Sequence, residues 1–389
     1  MKKPGLLLIC FAIIAFSSCT RLREFPVQGT FEGIETALNR QSTTSLLIVH
    51  GMGGFSEGDP DTLVKTVEIQ LNLQKCAPEC IREIIDEETG KFYGVLKRQE
   101  YCRCCYPHNL RIYTLDWSQA TSEEKERLQY FDSHCTADRH RLPFVREMKG
   151  QNINNSFADT ILYVSGYKQE IQYPFVQAIR WIQEDAFDDV RHENVIVGFS
   201  LGGVICIDAL DAMQDSNNQQ LHDDSSEEIA KRFIRDTSGF FMVSNTYPLF
   251  ELADTHPFVV HKYDDSKNCN DIDLCQQTEP NEEFACDKLA WDWEKSTIGR
   301  FVHEKRKSAP CFQIVAINDP NDFLGYNSIG YPVPIRNGGY LNAFLNEDVR
   351  NSTVAIFGFI NPKDAHTKYG RNAKVLGMII YGCQPCCDN

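Results

Sequence analysis

A serine bracketed by glycines, between an apolar strand and an apolar helix, constrains the fold of this chain most. Residues 198–203 read Gly-Phe-Ser-Leu-Gly-Gly, after a largely β-branched run at 194–197 and before a largely apolar run at 204–210. A serine at a sharp turn from strand to helix needs small neighbours, because its own backbone is strained and the flanking chain crowds it. The pattern therefore predicts a nucleophile at Ser200. The alternative is a glycine-rich turn with an idle serine.

Short apolar runs alternate with helical patterns along the rest of the 389-residue chain. In residues 170–182 the apolar side chains recur every three or four positions, as they do on the buried face of a helix. Such alternation predicts an α/β fold with a mainly parallel, doubly wound sheet that helices cover on both faces. We expect six core strands, at residues 45–50, 110–115, 194–198, 239–243, 312–317 and 353–358.

Two long polar, cysteine-bearing stretches interrupt this alternation. They are residues 76–149, apart from the strand at 110–115, and residues 263–300. Loops of this length in a compact domain are usually functional or fold into small structures of their own. We interpret residues 20–389 as one α/β domain with these two cysteine-rich insertions, and both insertions are candidates for a cap over the active site.

The segment His-Gly-Met-Gly-Gly at residues 50–54 directly follows the first predicted strand. Together with the turn around Ser200, and in this order, it resembles the α/β-hydrolase superfamily over nearly the whole mature chain. In that family the loop after an early strand and the residue after the nucleophile each provide one N–H to the oxyanion hole. The resemblance implies Met52 and Leu201 as these donors. It also makes His50 a residue that organises the loop rather than the base, because the family places its catalytic histidine last.

The family's chain order of serine, acid and histidine indicates the other two members of a catalytic triad. His366 follows the last predicted strand and is the predicted base, the alternative being a surface histidine. Two carboxylates, Asp319 and Asp322, follow the strand at 312–317. Asp319 precedes a proline and suits a turn. We favour Asp322, which lies deeper in the loop, as the acid that orients His366.

The first nineteen residues have the pattern of an export signal. Lys2 and Lys3 precede an apolar run at residues 5–16, which is too short for a permanent membrane span of about 20 residues. Residues 16–19, Phe-Ser-Ser-Cys, resemble the processing site of bacterial lipoproteins and predict a lipid anchor on Cys19. Cleavage by an ordinary signal peptidase is the alternative. We expect an exported protein of the cell envelope, tethered to a membrane surface, or else a secreted one.

Sixteen cysteines are many for an enzyme of this size. In an exported chain they favour disulfides, whose pairing the sequence leaves open. The close groups at residues 102–105 and 383–387 have a spacing that also suits zinc. Cys206 and Cys311 fall in predicted core elements. The twelve cysteines outside the core are Cys76, Cys80, Cys102, Cys104, Cys105, Cys135, Cys269, Cys275, Cys286, Cys383, Cys386 and Cys387.

A net charge of −15 argues against nucleic-acid binding, which needs clustered Lys and Arg. The residues indicate a serine esterase that acts through an acyl-enzyme on Ser200, without a metal or cofactor, on a small-molecule or lipid ester. Segments around Tyr163 and Phe250 resemble those of lipid-cleaving members of the superfamily and favour long acyl chains; the alternative is that they are core elements. Two other functions stay open. One is an acyltransferase or peptidase with the same triad, and the other is a catalytically silent lipoprotein that binds a partner through its cysteine-rich surface.

Overall fold

The computed structural model describes most of the chain between residues 25 and 383. The described residues are 25–27, 29–40, 43–54, 59–103, 108–133, 141–187, 189, 191–218, 220–252, 293–328, 331–335, 340–351 and 362–383. The predicted signal with Cys19, the predicted strand at 353–358 and residues 263–292 of the second insertion lie outside them. Within these ranges, no helix combines the length and the apolar character that a membrane span requires.

The described residues form strands and helices in mixed order. The strands are β1 (Phe31–Glu32), β2 (Thr43–Val49), β3 (Leu73–Lys75), β4 (Cys80–Ile85), β5 (Phe92–Arg103), β6 (Asn109–Asp116), β7 (His192–Phe199), β8 (Thr237–Val243), β9 (Ile314–Asn318), β10 (Pro332–Pro334), β11 (Tyr340–Asn342), β12 (Phe344–Asp348) and β13 (Gly382–Cys383). The α-helices are α1 (Ile34–Arg40), α2 (Asp59–Gln70), α3 (Ser122–Ser133), α4 (Pro143–Met148), α5 (Ala158–Tyr163), α6 (Lys168–Asp185), α7 (Leu201–Ala212), α8 (Ser226–Asp236), α9 (Tyr247–Glu251), α10 (Thr297–Arg306), α11 (Pro362–Thr367) and α12 (Ala373–Tyr381). The other helical segments are two 3₁₀-helices, at Ser118–Thr121 and Tyr369–Arg371, and a π-helix at Lys149–Phe157.

A nine-stranded sheet organises the molecule, in the order β12-β9-β8-β7-β2-β6-β5-β3 with β4 beside β5. Neighbouring strands are parallel from β12 to β6. Strand β5 runs antiparallel to β6, and β3 and β4 run antiparallel to β5. The predicted α/β class with a mainly parallel sheet is therefore confirmed.

The central strand β2 is buried along its whole length. Leu47 and Val49 pack into one core with α6 and α7, whereas Leu46 and Ile48 pack into a second core with α1, α2 and α12. A strand covered on both faces reads as a continuous apolar run rather than an alternating one. This is why the run at 45–50 identifies it in the sequence.

Five of the six predicted strands correspond to β2, β6, β7, β8 and β9, with ends that differ by at most two residues. The predicted helix at 170–182 lies within α6, and its recurring apolar side chains are buried. Strand β9 begins at Ile314, so Cys311 lies in the exposed turn before it rather than in a core strand. Cys206 is buried on α7, as expected.

The first insertion contains two different structures. Residues 80–103 form β4 and β5, which extend the sheet at one edge. Residues 118–133 form a 3₁₀-helix and α3, residues 143–148 form α4, and beyond the insertion the chain continues in the π-helix and α5. Gly53, in the loop after β2, donates its N–H to Asp159 of α5 at 2.7 Å, and the side chain of Ser156 in the π-helix fills the space where a Cβ atom on Gly53 would lie. The π-helix and α5 thus lie beside the predicted oxyanion loop.

A disulfide joins Cys76, before β4, to Cys102 near the end of β5. The Cys102 thiolate is therefore not a zinc ligand in this structure, while Cys104 and Cys105 of the same group lie outside the described residues. Cys311 is disulfide-bonded as well. Cys76 and Cys102 are 26 residues apart in the sequence. Their disulfide should stabilise this edge by about 3 kcal/mol, because it lowers the conformational entropy of the unfolded chain.

Candidate active site

Ser200 lies at the turn between β7 and α7. Its backbone has φ 50° and ψ −123°, a conformation that costs a residue with a side chain about 1–3 kcal/mol. A Cβ atom on Gly202 would lie 2.4 Å from the carbonyl oxygen of His50, and one on Gly198 would lie 2.5 Å from the Cα of Gly203. Only glycine fits at these two positions, so the flanking glycines allow the turn that presents Ser200.

The position of Ser200 in the sheet is typical of a binding site. After β2 the described strands continue through β6 on one side of the sheet, and after β7 they continue through β8 and β9 on the other. In open α/β sheets, ligands bind outside the carboxyl ends of the strands where the strand order reverses in this way. The loops that carry Met52 and Ser200 both leave the sheet at this point.

The hydroxyl of Ser200 is buried and free to bond to a ligand. Ser200 is 6% exposed, and its Oγ has no hydrogen-bond partner among the residues that the structure describes. It lines a cavity of about 60 Å³ together with His50, Met52, Ser244 and His366. A buried hydroxyl without a partner is costly, so it is expected where a substrate or water completes the bonding.

His366, on α11, is oriented by Asp322 in the loop after β9. The Nδ1 of His366 lies 2.9 Å from Asp322 Oδ1 and 3.1 Å from Oδ2. An ionised carboxylate can only accept, so the imidazole hydrogen resides on Nδ1 and leaves Nε2 as the basic nitrogen. The structure thus brings together the base and the acid that the sequence predicts, and it places His366 and Ser200 in the same cavity.

Asp322 is almost fully buried, and donors surround its carboxylate. Oδ2 accepts from the Ser244 hydroxyl at 2.6 Å and from the Tyr369 hydroxyl at 3.1 Å, while Oδ1 accepts from the Leu324 N–H at 3.0 Å. Burial by itself raises the pKa of Asp322, but the hydrogen bond and charge of His366, with the Ser244 hydroxyl, lower it overall. These donors keep Asp322 ionised beside the histidine.

Asp319 has a different set of partners. Its Oδ1 accepts from the backbone N–H and side-chain amide of Asn321 at 2.9 and 2.8 Å, and its Oδ2 accepts from the Asn351 N–H at 2.7 Å. The first of these bonds is the turn geometry that an Asp before a proline favours. Asp319 thus shapes the loop that presents Asp322. The ring of Phe323, whose centre is 6.3 Å from that of His366, remains 60% exposed and gives the hydrogen bond between His366 and Asp322 little cover.

Ser244 is a residue of the site that the sequence reasoning missed. It directly follows β8, has φ 56°, and its N–H donates to the Ile317 carbonyl at 2.8 Å. Its Oγ, which donates to Asp322, also lies 2.8 Å from the Nδ1 of His366. The available signal was its position, since Ser244 directly follows β8 and Ser200 directly follows the neighbouring strand β7.

The two predicted oxyanion donors lie on either side of Ser200. Leu201 is the first residue of α7, and the N–H groups of the first helical turn have no partner within the helix. The positive end of the helix dipole adds to their attraction for an anion. Met52 lines the cavity, in a loop whose Gly53 and Gly54 have φ 77° and 89°. Both amides are thus on the segments that a substrate carbonyl next to Ser200 would meet.

His50 holds this loop against the sheet. Its ring is buried and stacks on Trp117 with ring centres 4.7 Å apart. Nε2 accepts from the Trp117 N–H at 3.0 Å and lies 3.2 Å from an oxygen of Asp116, while Nδ1 lies 2.7 Å from the Gly51 carbonyl oxygen. Both ring nitrogens are therefore engaged in the loop, in line with an organising role rather than with that of the base.

A larger cavity, of about 460 Å³, lies at the other end of the central strands, near the amino ends of β2 and β7. Its charged side chains pair with neighbours, as Arg40 does with Glu32 and Glu193. It is lined by no hydroxyl or thiol among the described residues, and burial lowers the pKa of its histidine, His192, to about 4. The nucleophile and its partners place the candidate active site at Ser200 instead.

Comparisons of this chain with protein-family models, with curated proteins and with solved structures found no match. The chemistry of the site is therefore interpreted from its own geometry. In the part of the chain that the structure describes, no group of three or more His, Cys, Asp or Glu side chains is placed to bind a metal ion.

Proposed function

We propose that this chain is a serine hydrolase of the α/β-hydrolase type that cleaves carboxylic esters through an acyl-enzyme on Ser200. The observation that carries the proposal is that a serine on a strained turn shares a cavity with His366, whose Nδ1 is hydrogen-bonded to the buried Asp322. Nucleophile, base and orienting acid are the three roles that such catalysis requires.

In the acylation step, Nε2 of His366 takes the proton of Ser200 as Oγ attacks the ester carbonyl carbon. The carbonyl oxygen becomes an anion, which accepts hydrogen bonds from the N–H groups of Met52 and Leu201. Asp322 stabilises the imidazolium without taking its proton. The carbon–oxygen bond to the alcohol then breaks, and the imidazolium protonates the departing alkoxide, leaving the acyl group on Ser200.

Deacylation repeats these roles with water as the nucleophile. Nε2 of His366 takes a proton from water, the hydroxide attacks the acyl carbon, and the second oxyanion occupies the same pair of N–H groups. Collapse of this intermediate breaks the bond to Ser200, whose Oγ recovers the proton from His366. Ser200 and His366 thus return to their starting states, and the cycle needs no reactant besides the ester and water.

Hydrolysis of p-nitrophenyl butyrate tests this proposal. The wild-type protein should release p-nitrophenol, and Ser200→Ala should reduce kcat by up to about a millionfold. Ser165→Ala is the matched control, because Ser165 is an exposed serine that bonds only to the Leu162 carbonyl in the described structure and should keep full activity. Equal activity of wild type and Ser200→Ala would contradict the proposal.

The acyl preference of the enzyme is a separate proposal. We favour long-chain or lipid esters on the grounds of the segments around Tyr163 and Phe250, although these two rings pack edge to face in the core, 5.6 Å apart. Their burial fits the alternative of core elements equally well. A series of p-nitrophenyl esters from acetyl to palmitoyl measures the preference. A rise of kcat/KM with chain length supports the lipid proposal, and a strong preference for acetyl rejects it.

We also propose that the enzyme acts outside the cytoplasm, anchored to a membrane by a lipid on Cys19. The disulfide between Cys76 and Cys102 supports an oxidising compartment, because such bonds are rare in the cytosol. Tethering would hold the active site near any ester that the same membrane contains.

A further inference from the structure

Asp159, in the first turn of α5, is a fully buried carboxylate outside the catalytic triad. Its Oδ2 accepts the backbone N–H of Gly53 at 2.7 Å. Its Oδ1 accepts from the Thr121 hydroxyl at 2.7 Å and pairs with the Lys125 ammonium at 2.7 Å. A buried carboxylate is costly unless such partners satisfy it. Asp159 therefore joins the helical residues 118–133 of the first insertion to the loop after β2.

The loop that Asp159 holds is the one with the proposed oxyanion donor. Gly53 directly follows Met52. The hydroxyl of Thr160, the residue after Asp159, contacts the Met52 sulfur at 2.5 Å. On the same side, a Cβ atom on Gly53 would lie 2.5 Å from the hydroxyl of Ser156. The contacts of Asp159 and Thr160, with Ser156 packed beside Gly53, thus hold a loop that has two residues at positive φ.

We propose that Asp159 is the positioning residue of the oxyanion hole. Its bond to the Gly53 N–H fixes the peptide plane between Met52 and Gly53. The adjoining plane, which bears the Met52 N–H, is connected to it through the two backbone torsions of Met52 alone, so fixing the first restricts rotation of the second. The bond to an ionised acceptor is stronger than one to a neutral amide. Asp159 thereby holds the Met52 N–H toward the place where the oxyanion forms.

This inference rests on the proposed function, and a graded pair of substitutions tests it. Asp159→Asn keeps the shape but removes the charge, and Asp159→Ala removes the acceptor. The matched control is Asp208→Asn on α7, because Asp208 is also a buried carboxylate that pairs with a lysine, Lys168, at 2.7 Å and accepts from a hydroxyl, that of Tyr163, at 2.8 Å. Circular dichroism and thermal unfolding establish that each variant is folded.

Three readouts distinguish positioning from a structural role. We expect kcat on p-nitrophenyl butyrate to fall about 10-fold in Asp159→Asn and about 100-fold in Asp159→Ala, with KM changed by less than about twofold. The affinity for phenylboronic acid, whose tetrahedral adduct on Ser200 places an oxygen in the hole, should fall by the same factors. Asp208→Asn should keep kcat and this affinity within about twofold of the wild type.

Hydrogen exchange of the Gly53 amide measures the bond without reference to activity. It should be slow in the wild type and in Asp208→Asn and faster in Asp159→Ala, a result that can be obtained even if the wild type hydrolyses no ester and the proposed function fails. Unchanged kcat and unchanged exchange in folded Asp159→Ala would overturn the inference. Equal losses of kcat in Asp159→Asn and Asp208→Asn would also overturn it, since the effect would then follow from any buried carboxylate.

Discussion

Four hydrogen-bond donors hold the carboxylate of Asp322 in place. His366, Ser244, Tyr369 and the Leu324 N–H all bond to it, and the Tyr369 hydroxyl in turn accepts from the Asp319 N–H at 2.6 Å. Because both oxygens are engaged, the carboxylate cannot rotate away from the histidine. The orientation of the imidazole ring is consequently set by groups in the loops after β8 and β9 and in the segment after α11.

The two carboxylates of the loop after β9 should differ sharply in their effect on catalysis. Asp322→Asn offers an amide N–H to the His366 Nδ1, which favours the wrong tautomer, and kcat should fall by about 10⁴ with folding intact. Asp319→Asn should weaken the loop and reduce stability by about 1–2 kcal/mol, with kcat changed by less than about tenfold. Steady-state kinetics and urea unfolding of both variants measure this. A loss of kcat in Asp319→Asn alone would reverse the assignment.

At the scale of single residues, chain order was the informative signal. Ser200 has its own motif, and His366 and Asp322 follow from the order in which the superfamily uses its triad. Ser244 and Asp159 have no such motif, because a serine at a strand end and an aspartate in a short helix are common. Their roles depend on which segments the fold brings together, and this is set by packing rather than by local sequence.

Among the helices, α10 ends in two buried cations that act on backbone carbonyls. Lys305 donates to the Arg235 carbonyl at 2.6 Å. Arg306 donates to the carbonyl oxygens of Phe312, Val333, Leu341 and Asn342 at 2.7–3.0 Å, and so joins the strands β10 and β11 to the core. Burial lowers the pKa of Arg306 to about 9 and that of Lys305 to about 8.

Lys305 should make stability depend on pH in the alkaline range. Burial lowers its pKa from 10.5 to about 8, so between these values the unfolded chain binds the proton that the folded protein has lost. Stability from this residue is therefore lowest below pH 8 and increases toward pH 10.5. The difference in unfolding free energy between wild type and Lys305→Met should change by about 3 kcal/mol over this window. A constant difference would show that Lys305 titrates normally.

Elements were predictable where both faces are buried and less so at the sheet edges. The parallel strands β2, β6, β7, β8 and β9 are apolar runs, but β4 and β5 carry many half-exposed polar residues, and residues 80–103 read as an insertion for this reason. Strand β12, with the sequence Phe-Leu-Asn-Glu-Asp, was missed for the same reason. Where many side chains of a strand are half exposed, no continuous apolar run marks it in the sequence.

At the scale of the whole molecule, helices cover both faces of the sheet, and the candidate site lies at the carboxyl ends of its strands. Helices α1, α2 and α12 pack on one face and α6 and α7 on the other, so both faces are closed by structure. The carboxyl ends of β2, β7, β8 and β9 bear the loops of the candidate site. The sequence predicted the mainly parallel sheet with helices on both faces, while the position of the π-helix and α5 follows from their contacts with Gly53.

Membrane attachment belongs to this scale, and it should depend on one cysteine. If Cys19 is lipidated, cells grown with a palmitate analogue should incorporate it into the wild-type protein and not into Cys19→Ser. The wild type should also remain with the membrane fraction, whereas the variant should become extractable by salt. Cys80→Ser is the control, since Cys80 is a free cysteine of the described fold. Equal incorporation into wild type and Cys19→Ser would reject the anchor.

The account depends most on Ser200 being a reactive nucleophile, and labelling with a fluorophosphonate followed by peptide mass mapping tests this directly. The probe should add to the wild-type peptide that contains Ser200, it should be absent from Ser200→Ala, and Ser244→Ala should still be labelled at Ser200 but more slowly. Addition at another serine, or a folded wild type that the probe does not modify, would contradict the claim that this chain is a serine hydrolase.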